Sequence, residues 1–142
     1  MQIIERKLYQ KNKIGNLFVL VYIGLNIIYS IFNINMMPKS TALGIFVMST
    51  ILLLLLGFLT GTKLASYSKL WSGVALVLGL IQFLRLTFDA SYMEADMLLM
   101  MNVILILSGI SVIVGGFVTF KYSHQREQLL KSNPEKYQSI SH

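Results

Sequence analysis

Long apolar runs with very few charges between them constrain this chain more than any other feature of its sequence. Between Ile14 and Phe120 only seven side chains are charged, and over all 142 residues the charged fraction is 13%. Soluble domains carry about 25% charged residues, whereas an apolar run of about 18 residues or more is typical of a membrane-spanning helix. The sequence therefore predicts an all-α, polytopic membrane protein.

Four of the runs are long enough to cross a bilayer, because helices of their length span about 30 Å of hydrocarbon. These predicted spans cover residues 14–35, 41–62, 70–88 and 97–120. The links between them are short, so we expect four transmembrane helices packed antiparallel in one bundle. A basic interfacial segment, residues 1–13, and a basic tail, residues 121–142, then flank a transmembrane domain of residues 14–120.

Lysine and arginine are distributed unevenly among the links. Ten of the 12 fall on one side of four spans, and only Lys39 and Arg85 lie towards the other side. The positive-inside rule then places both termini in the cytoplasm, and the net charge of +6 favours an inner leaflet rich in anionic lipid over nucleic acid as a partner. Abundant Ile, Leu, Lys and Asn indicate an AT-rich genome, so we expect a multi-pass protein of a bacterial cytoplasmic membrane.

The residue types that carry covalent or metal chemistry are scarce. The chain has no cysteine, and its two histidines, His124 and His142, both lie in the predicted tail. Disulfides, thiolate catalysis and cysteine-held metal clusters are therefore excluded, and no predicted span can supply a histidine to a haem. We expect neither an enzyme nor a cofactor.

The first predicted span carries a polar stripe. Tyr22, Asn26, Tyr29 and Asn33 follow one another at spacings of four, three and four, which places them on one helical face. Polar side chains in a span hydrogen-bond to neighbouring helices, so contact between helices is one interpretation. The alternative is one wall of a polar pathway. Since Asn and Tyr cannot carry a charge at neutral pH as a carboxylate does, helix contact is favoured.

Small residues predict close helix packing in the second and fourth spans, because they let two backbones approach. The fourth span has small or polar residues on two faces, one repeating every seven residues and the other every four. One face suffices for packing within a bundle. The second therefore suggests a partner, either another copy or a different protein. The predicted packing residues are Gly57, Gly61, Asn102, Gly109, Ser111, Gly115 and Gly116.

Arg85 is the one charged side chain inside a predicted span, and such a residue is by default a functional-site hypothesis. Gln82 and Asp89 lie within reach of it on a helix. Either Arg85 reaches out to the interface and pairs with Asp89, or it binds a ligand, an ion or a partner. Glu94 and Asp96 lie near the start of the fourth span, where the helix dipole favours acids. A cation site of these two with Asp89 is the weaker alternative.

Four methionines cluster on one helical face near the same end, namely Met93, Met97, Met100 and Met101. Methionine is a common filler of apolar cores, which is the favoured interpretation. Thioethers are also soft ligands that suit Cu(I), so a copper site is the alternative.

Three functions remain open at this point. The favoured one is a non-catalytic subunit or accessory protein of a larger membrane complex for transport or secretion. The second is a homo-oligomeric small transporter or channel whose polar pathway is lined by the first and third spans. The third, a membrane enzyme, needs a nucleophile, a base or metal ligands around one cavity, and the polar residues here form no known set.

Overall fold

The prediction of an all-α chain is confirmed. A computed structural model of the protein describes residues 11–88 and 91–132, and within these ranges it contains four α-helices. The helices are α1, Lys13–Met36; α2, Thr41–Leu64; α3, Lys69–Arg85; and α4, Ala95–Ser132. Most of the predicted interfacial segment and the last ten residues of the predicted tail lie outside the described residues.

Three of the helices in the described part of the chain, α1, α2 and α4, are long and apolar enough to cross a membrane. This indicates a membrane protein. The third predicted span is the exception, because α3 has only 17 residues. At 1.5 Å per residue it measures about 25 Å, less than the roughly 30 Å of a hydrocarbon core.

Helix α3 ends at Arg85, about one turn before Phe88, the predicted end of the third span. The next backbone N–H groups bond three residues back instead of four: Leu86 to the carbonyl of Phe83 at 3.1 Å and Phe88 to that of Arg85 at 3.3 Å. Such bonds tighten the last turn and close the helix. In contrast, α4 continues well past the predicted limit of its span, to Ser132.

Helix α4 packs against both α1 and α3, while α2 packs mainly against α1. On the α3 side, a Cβ added to Gly116 would lie 3.0 Å from the Ala75 Cβ. A Cβ added to Gly109 would lie 3.3 Å from the Gln82 Cβ, so α3 and α4 run in opposite chain directions.

The second small face of α4 is also occupied within the chain. Ser111 Oγ donates to the carbonyl of Phe18 in α1 at 2.7 Å. A Cβ on Gly115 would lie 2.9 Å from the Phe18 Cβ. Because both faces already have helix neighbours, the second face does not support a partner in the way the sequence pattern suggested.

The two ends of the molecule are named after Asn12 and Arg85, which lie at opposite ends. At the Asn12 end, α1 begins and α2 ends; at the Arg85 end, α1 ends, α2 begins, α3 ends and α4 begins. A core cluster that includes Val19, Leu64 and Val112 lies towards the Asn12 end. A smaller one, Tyr29 with Met101 and Leu105, lies towards the Arg85 end.

Helix α2 packs less closely towards the Arg85 end than towards the Asn12 end. In its most apolar stretch 11% of residues are buried, against 39% in α1 and 33% in α4. Its contact with α1 is made by glycines: a Cβ on Gly57 would lie 2.9 Å from the Tyr22 ring, and one on Gly61 would lie 3.3 Å from Val19. No residue before Thr50 in α2 is buried, so α2 separates from its neighbours towards the Arg85 end.

Asn12 links three helices at the end of the molecule opposite to Arg85. It is 3% exposed, and its Oδ1 accepts from the N–H of Gly15, capping α1 at 3.0 Å. Its Nδ2 donates to the Leu64 carbonyl of α2 at 3.3 Å and to Thr119 Oγ1 of α4 at 2.7 Å. One side chain therefore joins three helices. Asn12 falls in the predicted basic interfacial segment, residues 1–13, and its role as a link between helices was not predicted.

Candidate functional site

Arg85 lies inside the protein although it is the last residue of α3. Its side chain is only 8% exposed, and Nη1 donates to Asn26 Oδ1 at 2.8 Å and to Gln82 Oε1 at 3.3 Å. The expectation that Arg85 reaches out to the membrane interface is therefore wrong. The physical reason is Asn26, which offers a buried acceptor on α1 at the level of the guanidinium.

The first half of the polar stripe, Tyr22 and Asn26, forms a hydrogen-bonded network with α3. Gln82 is 0% exposed, and its Nε2 donates to the Tyr22 hydroxyl oxygen at 3.2 Å and to Asn26 Oδ1 at 3.3 Å. The network consists of Tyr22, Asn26, Gln82 and Arg85. It joins α1 to α3 through buried polar groups whose hydrogen bonds offset the cost of removing them from water.

The second half of the stripe holds the segment before α4. Asn33 is 1% exposed, its Oδ1 accepts from the Tyr92 hydroxyl at 2.9 Å, and its Nδ2 donates to the Tyr29 carbonyl at 2.9 Å. The same amide lies 3.9 Å from the Met101 sulfur. The stripe residues thus bond to helices and loops around them, the arrangement expected of helix contacts.

Two aromatic rings flank the guanidinium of Arg85. Its Cζ lies 4.6 Å from the centre of the Tyr29 ring and 5.6 Å from that of the Phe46 ring, distances at which a cation is attracted to a ring face. Phe46 belongs to α2. No sequence signal distinguishes it from the other apolar residues of its span, so its contact with Arg85 was not predicted.

A cavity of about 640 Å³ lies beside Arg85, between α2 and the other helices. The described walls are otherwise apolar, the exceptions being Arg85, Asn33, Asn102, Ser49, Tyr29 and Tyr92. It is open to the surroundings, because several of its wall residues are largely exposed. These are Ile45 at 64%, Leu52 at 58% and Phe88 at 71%.

The acidic candidates do not approach Arg85 in the described part of the chain. Glu94 and Asp96 are exposed, and within residues 11–88 and 91–132 no carboxylate forms an ion pair with Arg85. Asp89 lies outside the described residues, and with it the predicted pair with Arg85. Nor do the described ranges contain a group of three His, Cys, Asp or Glu residues suited to a metal ion.

Three of the four clustered methionines pack into the core near the cavity. Met101 is buried with Tyr29 and Leu105, and Met93 and Met97 pack against that cluster. Met100 is 41% exposed and lies apart from it. The four thioethers are thus divided between core and surface.

The ion pairs in the described part of the chain lie at the Asn12 end. Glu127 pairs with Lys69, joining α4 to the start of α3, and with Lys131 at 3.1 Å. Hydrogen bonds from Lys69 and then Lys131 lower the pKa of Glu127 from 4.5 to about 2. All three side chains are well exposed, so water screens the pairs.

Comparison with known protein families, with characterised proteins and with solved structures finds no match for this chain. The functional conclusion therefore rests on the geometry of the molecule alone.

Proposed function

We propose that this chain is a non-catalytic subunit or accessory protein of a larger complex in a bacterial cytoplasmic membrane, a transport or secretion assembly. The observation that carries the proposal is the outer face of α2. Its exposed side forms a shallow groove around Gly44, and a Cβ added there would meet nothing within 4 Å. The groove is lined by Thr41, Gly44, Ile45, Met48, Ser49 and Leu52.

Small and hydroxyl residues are typical of the surface by which one membrane helix packs against another. Gly44 lies beside the hydroxyl residues Thr41 and Ser49, and all three are exposed. In such a groove a partner helix can approach the backbone closely. Since both small faces of α4 are used internally, this face of α2 is the small-residue surface that supports a partner.

The proposal includes four spans with both termini in the cytoplasm. The distribution of lysine and arginine supports it. Although α3 is short, Leu86 and Phe88 extend its apolar stretch beyond the helix end. A shorter span is accommodated by local thinning of the bilayer at modest cost.

Single cysteines test the topology directly, because the chain has none of its own. We expect Lys39→Cys and Glu94→Cys to react with a membrane-impermeant maleimide on intact cells. Ser66→Cys is expected to react only after the membrane is permeabilised. If Glu94→Cys behaves like Ser66→Cys, α3 does not cross and the four-span topology is wrong.

Purification in a mild detergent tests the partner. We expect unrelated chains at a fixed ratio with the parent protein, and their loss from Gly44→Leu, which fills the groove. Gly73→Leu is the matched control, since Gly73 lies at a similar position in α3, is exposed and also has nothing within 4 Å. Copies of this chain alone would favour the homo-oligomeric transporter, and a monomer would contradict both.

A further inference from the structure

The charge of Arg85 has no counter-charge among the described residues. A buried guanidinium cannot release its proton, and a buried charge is costly unless it is paired. Asn26 and Gln82 supply acceptors and Tyr29 supplies a ring face, but these groups are neutral. Among the described residues, a net positive charge therefore remains at the wall of an apolar cavity.

The hydrogen bonds of Arg85 use one corner of its guanidinium. Both bonds to described residues leave from Nη1, towards Asn26 and Gln82. The group carries five N–H donors, and within the described ranges no acceptor bonds to Nε or Nη2. That edge of the guanidinium is the one that matches the two oxygens of a carboxylate in a bidentate pair.

The cavity is suited to an apolar chain attached to such a head group. Its volume of about 640 Å³ lies within the range of small-molecule sites, about 300–1,000 Å³. Ile81 and Leu53 line it beside Arg85, and Ile45 and Leu52 of α2 open it to the surroundings. Because Arg85 is the one charged residue among the described residues of the wall, a ligand with a single negative charge fits better than a polar head group with several.

We propose that this cavity binds a long-chain carboxylate of the membrane, with the carboxylate on the Nε–Nη2 edge of Arg85 and the acyl chain along α2. The cavity shares Ile45, Ser49 and Leu52 with the groove proposed above for a partner, but all of its described walls belong to this chain. Its binding is therefore measured on the purified protein, and failure to find a partner chain does not affect the result.

The test uses dodecanoate labelled with ¹³C at the carboxyl carbon, added to the protein in uncharged detergent micelles at pH 8. We expect a carboxyl resonance of bound ligand that saturates at one ligand per chain. Dodecanol tests whether the charge is needed and acetate tests whether the chain is needed. If either displaces labelled dodecanoate as well as unlabelled dodecanoate does, the proposal is overturned.

Two variants act on different parts of the site. Arg85→Gln removes the charge, and we expect it to weaken binding by at least about tenfold, the loss typical of a charge-assisted hydrogen bond. Ser49→Phe fills the cavity and leaves Arg85 in place. Since Ser49 is exposed and its hydroxyl donates to the Ile45 carbonyl of its own helix, this variant is expected to fold and to lose binding.

Lys39→Gln is the matched control for non-specific attraction, because it removes an exposed cation from the link between α1 and α2. Its binding is expected to equal that of the parent. Unchanged binding in Ser49→Phe would overturn the proposal even if Arg85→Gln fails to fold. Asp89→Asn decides whether Asp89 is the counter-charge: binding that appears only in this variant would show that Asp89 occupies the site and would also overturn it.

Discussion

The two ends of this molecule are built from the same helices and packed in different ways. At the Asn12 end, glycines bring α2 and α4 onto α1, and one asparagine bonds to all three helices. At the Arg85 end, α2 stands apart, and a cation, two rings and a cavity take the place of close packing.

The difference shows how residue size decides where membrane helices close. Without a hydrophobic driving force between them in lipid, helices associate through van der Waals contact and hydrogen bonds. Gly57 and Gly61 permit that contact on one half of α2. On the other half the contact is made by Phe46, whose ring lies near Arg85 and Tyr29.

The largest expected effect on stability comes from substitution of Gly15 at the Asn12 end, with Gly44 at the Arg85 end as the comparison. A Cβ on Gly15 would lie 2.3 Å from Thr119 Oγ1 and 2.5 Å from Asn12 Nδ2, whereas a Cβ on Gly44 would meet nothing. We expect Gly15→Ala to lower the free energy of unfolding by about 2–3 kcal/mol through overpacking. Gly44→Ala should raise it slightly, because alanine favours helix. Unfolding in mixed micelles with rising dodecyl sulfate measures both, and equal losses would remove the distinction between the ends.

Removal of the Asn12 side chain should come next. Asn12→Ala deletes the cap of α1 and leaves the Leu64 carbonyl with one donor fewer. We expect a loss of about 1–2 kcal/mol in the free energy of unfolding. Asn35→Ala, at an exposed position of α1, is the control and should change it by less than about 0.5 kcal/mol. A loss as large in the control would mean that Asn12 does not join the helices energetically.

The ring of Phe46 offers a sharper test of the open end. Phe46→Leu removes one ring from Arg85 while keeping an apolar side chain, and we expect a loss of about 0.5–1 kcal/mol. Phe58→Leu is the matched control, because Phe58 lies on the same helix and is 61% exposed. The same unfolding measurement compares them, and an equal loss in both would show that Arg85 gains nothing from the ring.

The smallest expected effect is a pH dependence of stability that comes from the ion pairs of Glu127 at the Asn12 end. The pKa of Glu127 is lowered from 4.5 to about 2, so its pairs contribute stability above pH 4.5 that is lost as the pH falls towards 2. Thermal unfolding of the parent and of Glu127→Gln should therefore converge as the pH falls through this window. The difference at neutral pH should be small, because the pairs are exposed. A gap between the two proteins that persists at pH 2 would contradict this origin.

The sequence predicts the helices well because their signal is local. Apolar runs and their period require only neighbouring residues, and α1 and α2 begin and end within two residues of the predicted limits. The polar stripe also follows from helical spacing. The end of α3 does not follow from spacing. Leu86, Thr87 and Phe88 continue a largely apolar pattern, but their N–H groups bond to carbonyls three residues back and close the helix.

The candidate site was predictable only in part. Arg85 stands out as a charge in an apolar span, but whether it turns inward depends on Asn26, a residue 59 positions away in the chain. The contact of Phe46 with Arg85 and the size of the cavity depend on how far α2 is inclined away from its neighbours. The spacing of residues in the sequence does not predict that inclination. Asn12 had a usable signal: an asparagine just before an apolar run is a common N-cap.

Closer packing of α2 towards the Asn12 end makes it a lever. With the glycine contact at Gly57 taken as a pivot, the arm from there to Thr41 is about 24 Å long at 1.5 Å per residue. Rotation by about 5° at the pivot therefore displaces the free tip by about 2 Å. The width of the cavity is thus tied to the inclination of one helix, and we expect a change in that inclination to alter the room beside Arg85.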